Sequence, residues 1–337
     1  MTNITPHEPA RHRAEHVAAG PVADSDLPRP GVPAAGSRRA ATALGVAAIL
    51  LWASTVAFGR SVATQLGPLD AAAAVYAISA VFWLGVLVAR PARARAALRL
   101  PPRYLLACGA LFVLYALCLY LALGLASGAQ QAIEVGTINY LWTAATVVLS
   151  VPILGQRARW SLVPGALTAL AGIVVATLPI GQWSAQVFVD NLRDSWAPYL
   201  LGLVAALAWA LYSNLSRRWA GGDGAGAVPL FMVATAAVLV PLARLQPTAN
   251  VLWSARLIAE LAYLGLFPTA LAYAFWETAM RRGNLLLVAT LSLFIPLMSA
   301  AIAALYLRTA PGAGLWLGCA LVSAGAWICH RSLAVGQ

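Results

Sequence analysis

Lysine is absent from the 337 residues, and all 22 basic positions are arginine. Charge of either sign is scarce, with 11 acidic residues and 10% charged residues overall. A water-soluble domain of this length could not cover its surface with so few charges. Cysteine is rare too: Cys108, Cys118, Cys319 and Cys329 all fall inside apolar runs, where they read as small packing residues and not as disulfides. The chain also lacks H-E-x-x-H, G-x-S-x-G, paired intramembrane aspartates and a Walker A loop. Those absences argue against a membrane-embedded enzyme and against ATP hydrolysis by this chain. The reading calls for no cofactor and no metal.

What fills the chain is hydrocarbon: 61% of residues are hydrophobic, and the mean hydropathy is +0.78. Ten apolar runs stand out, at 42–60, 69–89, 104–126, 130–153, 160–178, 198–217, 228–245, 257–281, 285–307 and 313–330. Each is near the ~20 residues that a helix needs to cross a ~30 Å hydrocarbon core. The alternating pattern of a membrane β-barrel is missing. The expectation is an all-α polytopic membrane protein of ten transmembrane helices.

The net charge of +11 does not point to nucleic acid, because its distribution follows the membrane. With the N-terminus placed inside, 17 arginines fall on inner segments and 5 on outer ones, at Arg60, Arg193, Arg244, Arg256 and Arg308. That asymmetry puts both termini in the cytoplasm. Residues 1–40 are polar and proline-rich and read as a disordered cytoplasmic tail, not a signal peptide. Its His7, His12 and His16 read as solvated, without partners for a metal.

An internal repeat runs through the rest. "LGVAAILLWASTVAFGR" (44–60) aligns without gaps on "LGLVAALAWALYSNLSR" (201–217), and an offset of 153 pairs Tyr120 with Tyr273 and Gly165 with Gly318. A unit of five spans is odd, so the second copy must enter the membrane from the other face. The expected organisation is a first five-helix repeat at 41–178, a periplasmic linker at 179–197 and a second, inverted repeat at 198–331, with 332–337 cytoplasmic. Trp183, Phe188 and Trp196 would lie along the interface. Inverted repeats with a site near the midplane belong to secondary transporters. Gly165, Gly172, Gly314, Gly318 and Gly325 would let the fifth and tenth spans pack closely.

Counting from span ends places a set of aromatic and small polar residues near mid-membrane. They are Trp52, Tyr76, Ser79, Tyr115, Asn139 and Trp142 from the first half, and Trp209, Tyr212, Tyr273, Trp276 and Ser292 from the second. Tryptophan and tyrosine normally gather at the headgroups. Singly, each reads as ordinary packing. As a set over several spans they suggest an apolar cavity with a few polar fixing points. Glu134 lies about one turn inside the end of its span. It has three readings: a carboxylate reaching water or an outer arginine, a partner for a substrate ammonium, or a protonation switch. Glu277 reads as an i,i+4 ion pair with Arg281.

The segments "LLWASTVAFGR", "GPLDAAAAVY", "QQAIEVGTINYLW" and "YLGLFPTALAYAFWE" resemble the bacterial aromatic amino-acid exporters (YddG-like) of the drug/metabolite transporter superfamily (EamA-type). The likeness covers about residues 41–331. It implies ten spans in two inverted halves and export of aromatic and other neutral amino acids. It also assigns Trp52, Tyr76, Glu134, Asn139, Tyr140, Trp142, Trp209, Tyr212, Tyr273 and Trp276 to motif positions. Two positions depart: Thr143 stands where the resemblance leads one to expect proline, and Glu277 where it suggests an amide. The implied partners are an amino-acid substrate and the lipid bilayer, with a monomer compatible and no nucleic acid. A drug or metabolite exporter of the same fold, and less favoured a membrane-embedded enzyme or a scaffold, are the competing readings.

Overall fold

The computed structural model describes residues 35–177, 185–219, 227–245 and 251–333, with some side chains left out, those of Phe188, Glu277 and Arg281 among them. Residues 1–34 of the tail with its three histidines, Trp183 of the linker, and the side chains of the Glu277–Arg281 pair therefore lie outside what is described. Apart from one isolated bridge between Ala158 and Leu333, the regular structure described is helical.

The first apolar run is α1 (Ala35–Ala53) and α2 (Thr55–Leu66), parted at Ser54. It starts inside the stretch that composition assigned to the tail, because "AGSRRAA" is rich in helix-forming alanine and arginine. Then come α3 (Pro68–Ala89), the short α4 (Pro91–Leu98) and an unbroken α5 (Pro102–Leu125). Each of these three begins with proline in its first turn, where a missing N–H leaves no hydrogen bond unmade. Gly67, at the turn from α2 into α3, has φ 88°, a region that favours glycine. The fourth run divides into α6 (Ala129–Asn139) and α7 (Trp142–Leu154), followed by α8 (Leu162–Thr177). Thr143 in place of proline does not prevent this break.

The second half contains α9 (Ala185–Trp219), kinked at Ser195, then α10 (Val228–Arg244). The expected linker is thus helical from Ala185 onward. α11 (Ala255–Leu266) passes through one π-helical turn (Phe267–Leu271) into α12 (Ala272–Arg282). α13 (Leu285–Ser292) and α14 (Ile295–Tyr306) share one apolar run, and α15 (Ala313–Ser332) ends the bundle.

Among the described residues, seven helical stretches are long and apolar enough to cross a membrane: 38–66, 68–89, 102–125, 129–154, 195–219, 255–276 and 313–332. Leu162–Ala176, Val228–Arg244 and Ile295–Tyr306 are shorter apolar helices. Large apolar side chains such as Val88, Leu106 and Leu305 are exposed around the outside, as hydrocarbon surroundings require. The protein is an all-α, multi-pass membrane protein.

The most extensive helix pairings are α8 with α15, α5 with α9, α3 with α10 and α1 with α12. The glycines explain the first. A Cβ at Gly172 would stand 2.8 Å from the Gly318 carbonyl oxygen, and one at Gly165 would stand 2.8 Å from the Cys329 nitrogen. Only glycine lets the two backbones approach this closely. All four cysteines are buried and free.

Candidate functional site

The breaks in the helices converge on one cavity. Trp52 lies two residues before the Ser54 interruption, and Thr55 and Val56 follow it. Asn139 ends α6, Tyr140 occupies the gap, and Trp142 opens α7. Tyr273 follows the π-helical turn and Ile295 opens α14. Tyr115 and Leu119 of α5 and Trp209 of α9 complete the lining.

A broken helix leaves backbone carbonyls that a continuous one would consume, and inside a membrane they must find donors. Here the site's own side chains supply them. Trp52 Nε1 donates to the Pro268 carbonyl at 3.1 Å, at the π-helical turn. The Tyr140 hydroxyl donates to the Trp52 carbonyl at 3.2 Å, and Thr143 Oγ1 to the Tyr140 carbonyl at 2.9 Å. The aromatic groups are thus held in place by the same backbone irregularities that open the cavity.

Trp209 is the hub of the ring cluster. Its centroid lies 4.8 Å from Tyr115, 5.0 Å from Tyr212, 5.7 Å from Tyr273 and 6.2 Å from Trp142. Trp52 lies 5.2 Å from Tyr273 and 5.1 Å from Trp276. These are the separations at which tilted and edge-to-face rings attract. Phe112, which the sequence reading passed over, sits behind them against Trp209, Tyr212, Phe231 and Tyr273. Its signal was its place three residues before Tyr115, on the same face of a helix.

None of the described lining residues carries a formal charge. The polar groups are Thr55, Asn139 and the tyrosine hydroxyls. Asn139 is 4% exposed, and its Oδ1 is buried without a hydrogen-bond partner. An orphan acceptor in low dielectric costs free energy that a ligand's donor would recover. The space open to water centres is about 40 Å³, enough for a few waters. Side chains must part before anything with an aromatic ring enters.

Five of the expected positions do not line this cavity. Tyr76 is buried edge-on to Tyr120 at 6.3 Å. Ser79 is wholly buried, Tyr212 stacks behind Trp209, Trp276 backs Trp52, and Ser292 is buried at the end of α13.

Glu134 is also outside the lining. It accepts 2.6 Å from the Tyr199 hydroxyl of α9 and 3.0 Å from Gln130 Nε2, so its partners are a phenol and an amide, not an arginine. A second buried carboxylate, Glu260 of α11, was not singled out in the sequence. Its Oε2 accepts from Ser61 Oγ at 2.8 Å and Gln65 Nε2 at 3.3 Å; its Oε1 pairs with Arg256 at 2.7 Å and accepts from the Tyr306 hydroxyl. The group joins α2, α11 and α14. A glutamate at the start of the run 257–281, four residues after an arginine, was the available signal.

The model of the EamA-like transporter family matches residues 39–178 and, in a second segment, 196–330. The chain belongs to the EamA-like transporter family. This EamA-like protein is 34% identical over 292 residues to a Salmonella typhimurium protein (strain 14028s / SGSC 2262) named aromatic amino acid exporter YddG, with 86% of this chain and 96% of the relative covered. The protein of the same name from Escherichia coli (strain K12) is 33% identical, with 87% and 97% covered. That from Ancylobacter novellus is 33% identical, with 86% and 96% covered. A protein crystal structure superposes with a TM-score of 0.61 at 30% identity, covering 86% of this chain and 96% of the other. Membership makes this EamA-like protein a transporter and not an enzyme.

Proposed function

We propose that this transporter exports aromatic and other neutral hydrophobic amino acids from cytoplasm to periplasm by alternating access. The observation that carries the reading is the cavity at the helix breaks, an aromatic box around one unsatisfied amide oxygen. Ring faces of Trp52, Tyr115, Trp142 and Trp209 suit an aromatic or aliphatic side chain. Asn139 Oδ1 suits an ammonium N–H, and an ammonium gains further from the surrounding π faces. A lining without formal charge favours a zwitterion of zero net charge over an anion. The names of the three relatives point the same way.

In this reading ten spans form two inverted five-helix halves. Support comes from the three shorter apolar helices added to the seven long ones, and from the family model's two matched segments. The main pairings also map onto themselves when the halves are exchanged: α3–α10 and α8–α15 each onto itself, and α5–α9 onto α12–α1. The breaks at Tyr140–Leu141 and Leu293–Phe294 stand 153 residues apart, the offset of the sequence repeat. The arginine asymmetry supports, in the same reading, both termini in the cytoplasm of a bacterium, with the bundle in its inner membrane.

The test is counterflow of labelled phenylalanine into proteoliposomes preloaded with unlabelled phenylalanine, with and without a pH gradient. Uptake above empty liposomes is expected. No uptake of any aromatic or neutral amino acid by folded protein would overturn the substrate assignment and leave the drug or metabolite exporter in its place.

A further inference from the structure

α2 is a half-helix. It leaves α1 at the Ser54 break and supplies Thr55 and Val56 to the cavity. Beyond the cavity it is fastened to α11 and α14 at successive levels. At the break, the Ser54 and Tyr263 hydroxyls lie 2.9 Å apart. One turn on, the Phe58 ring packs against Tyr263 and Tyr306, with centroids 4.7 and 4.3 Å away. One turn further, the Glu260 carboxylate, 3% exposed, accepts from Ser61 and Gln65 of α2, from Arg256 and from the Tyr306 hydroxyl of α14. Ser61 stands six residues past Thr55, about 9 Å along the helix. In the orientation proposed above, these ties therefore lie between the cavity and the periplasmic face.

The opposite end is built differently. The 153-residue offset of the repeat pairs Glu260 with Ala107 and Tyr306 with Ile153, so the matching positions hold neither a carboxylate nor a hydroxyl. The tie found there is a single bond from exposed Arg218 of α9 to the Ile153 carbonyl, at 2.9 Å. An exposed arginine exchanges such a bond for water at little cost. A buried carboxyl group is costly unless its donors stay in place. A group that the repeat needed only for folding would be expected at both ends.

We propose that Glu260 is the latch of the outer gate. Its bonds to Ser61, Gln65 and Tyr306 hold α2 against α11 and α14 while the cavity faces the cytoplasm, and they part when the cavity opens outward. Movement of α2 about the Ser54 break carries Thr55 and Val56 with it, so the gate and the cavity wall change together. With the latch at one end only, the state closed to the periplasm is the favoured one, as suits a carrier that loads from the cytoplasm. The inference rests on the alternating-access reading and the orientation given above, and not on which substrate the cavity takes.

The experiment reads which face of the membrane reaches the cavity. Thr55→Cys places a thiol in the cavity of the full chain, and an impermeant methanethiosulfonate reagent is applied to right-side-out and to inside-out vesicles. The chain with only its four buried cysteines gives the background. Glu260→Gln keeps the side chain's shape and weakens its bonds; Ser61→Ala deletes one donor and leaves the carboxylate its other three. Each should speed labelling from the periplasmic side several-fold and slow it from the cytoplasmic side, Ser61→Ala by less. Opposite changes at the two faces are what a shift between two states produces. Loss of a merely structural tie would speed labelling from both faces or from neither, and either result overturns the latch. Should Glu260→Gln fail to fold, Ser61→Ala decides alone. Opposite changes with the faces exchanged would uphold the latch and overturn the orientation instead. The expected shift in a chain that takes up no phenylalanine would keep the latch and remove the substrate assignment.

Discussion

Asn139 and Glu134 lie five residues apart, roughly 7–8 Å along a helix, and their surroundings assign them different work. Asn139 faces the cavity with an unused acceptor, whereas both Glu134 oxygens are already engaged. A hydrogen bond to a charged group contributes about 1.5–3 kcal/mol, so Asn139→Ala should weaken phenylalanine binding on the order of 10- to 100-fold in counterflow competition. Glu134→Gln should leave the ratio of phenylalanine to tryptophan uptake unchanged, because no substrate in the cavity would touch it. A shifted ratio in Glu134→Gln would return that carboxylate to substrate recognition. Trp209→Ala removes the hub of the ring cluster and should raise KM more for tryptophan than for leucine.

Among helices, the decisive contacts are backbone approaches and buried polar ties. At Gly172 an added methyl meets the α15 backbone, and such overpacking costs about 1–3 kcal/mol. Gly172→Ala should therefore lower Tm in detergent. Gly312→Ala should not, since a Cβ there meets nothing within 4 Å and its φ of −62° suits any residue. The Glu260 group behaves differently at its two ends. Arg256 is mostly exposed and can turn to water, so Arg256→Ala should be the milder change. Glu260→Ala strands the donors of Ser61, Gln65 and Tyr306, at about 1 kcal/mol or more for each that stays buried. The two Tm values, measured side by side, test that order.

For the whole molecule, the arginine distribution predicts which loops share a side. Arg95→Cys and Leu252→Cys, both at exposed positions, should react with an impermeant thiol reagent from opposite faces of oriented vesicles. The four native cysteines are buried and should give little background. Labelling of both from one face would refute the proposed orientation.

Membrane residence and the apolar runs were legible in the chain itself, because hydrocarbon length acts over one segment at a time. Trp52, Asn139 and Trp142 drew notice for a similar reason: an indole or amide at mid-depth is out of place whatever surrounds it. Which groups line the cavity depends instead on helix rotation and on where helices break. Counting along the spans gives Tyr76 and Ser79 the same depth as Tyr115, yet both are buried outside the cavity lining, and the interruption after Asn139 needs no proline. Glu260 shows the same limit. Its Arg256 neighbour is local, but Ser61 and Tyr306 come from 199 and 46 residues away. Long-range partners, a buried acceptor left without a donor, and the ties that hold α2 to α11 and α14 exist only once the helices are packed, since each is a relation between segments that no single segment contains.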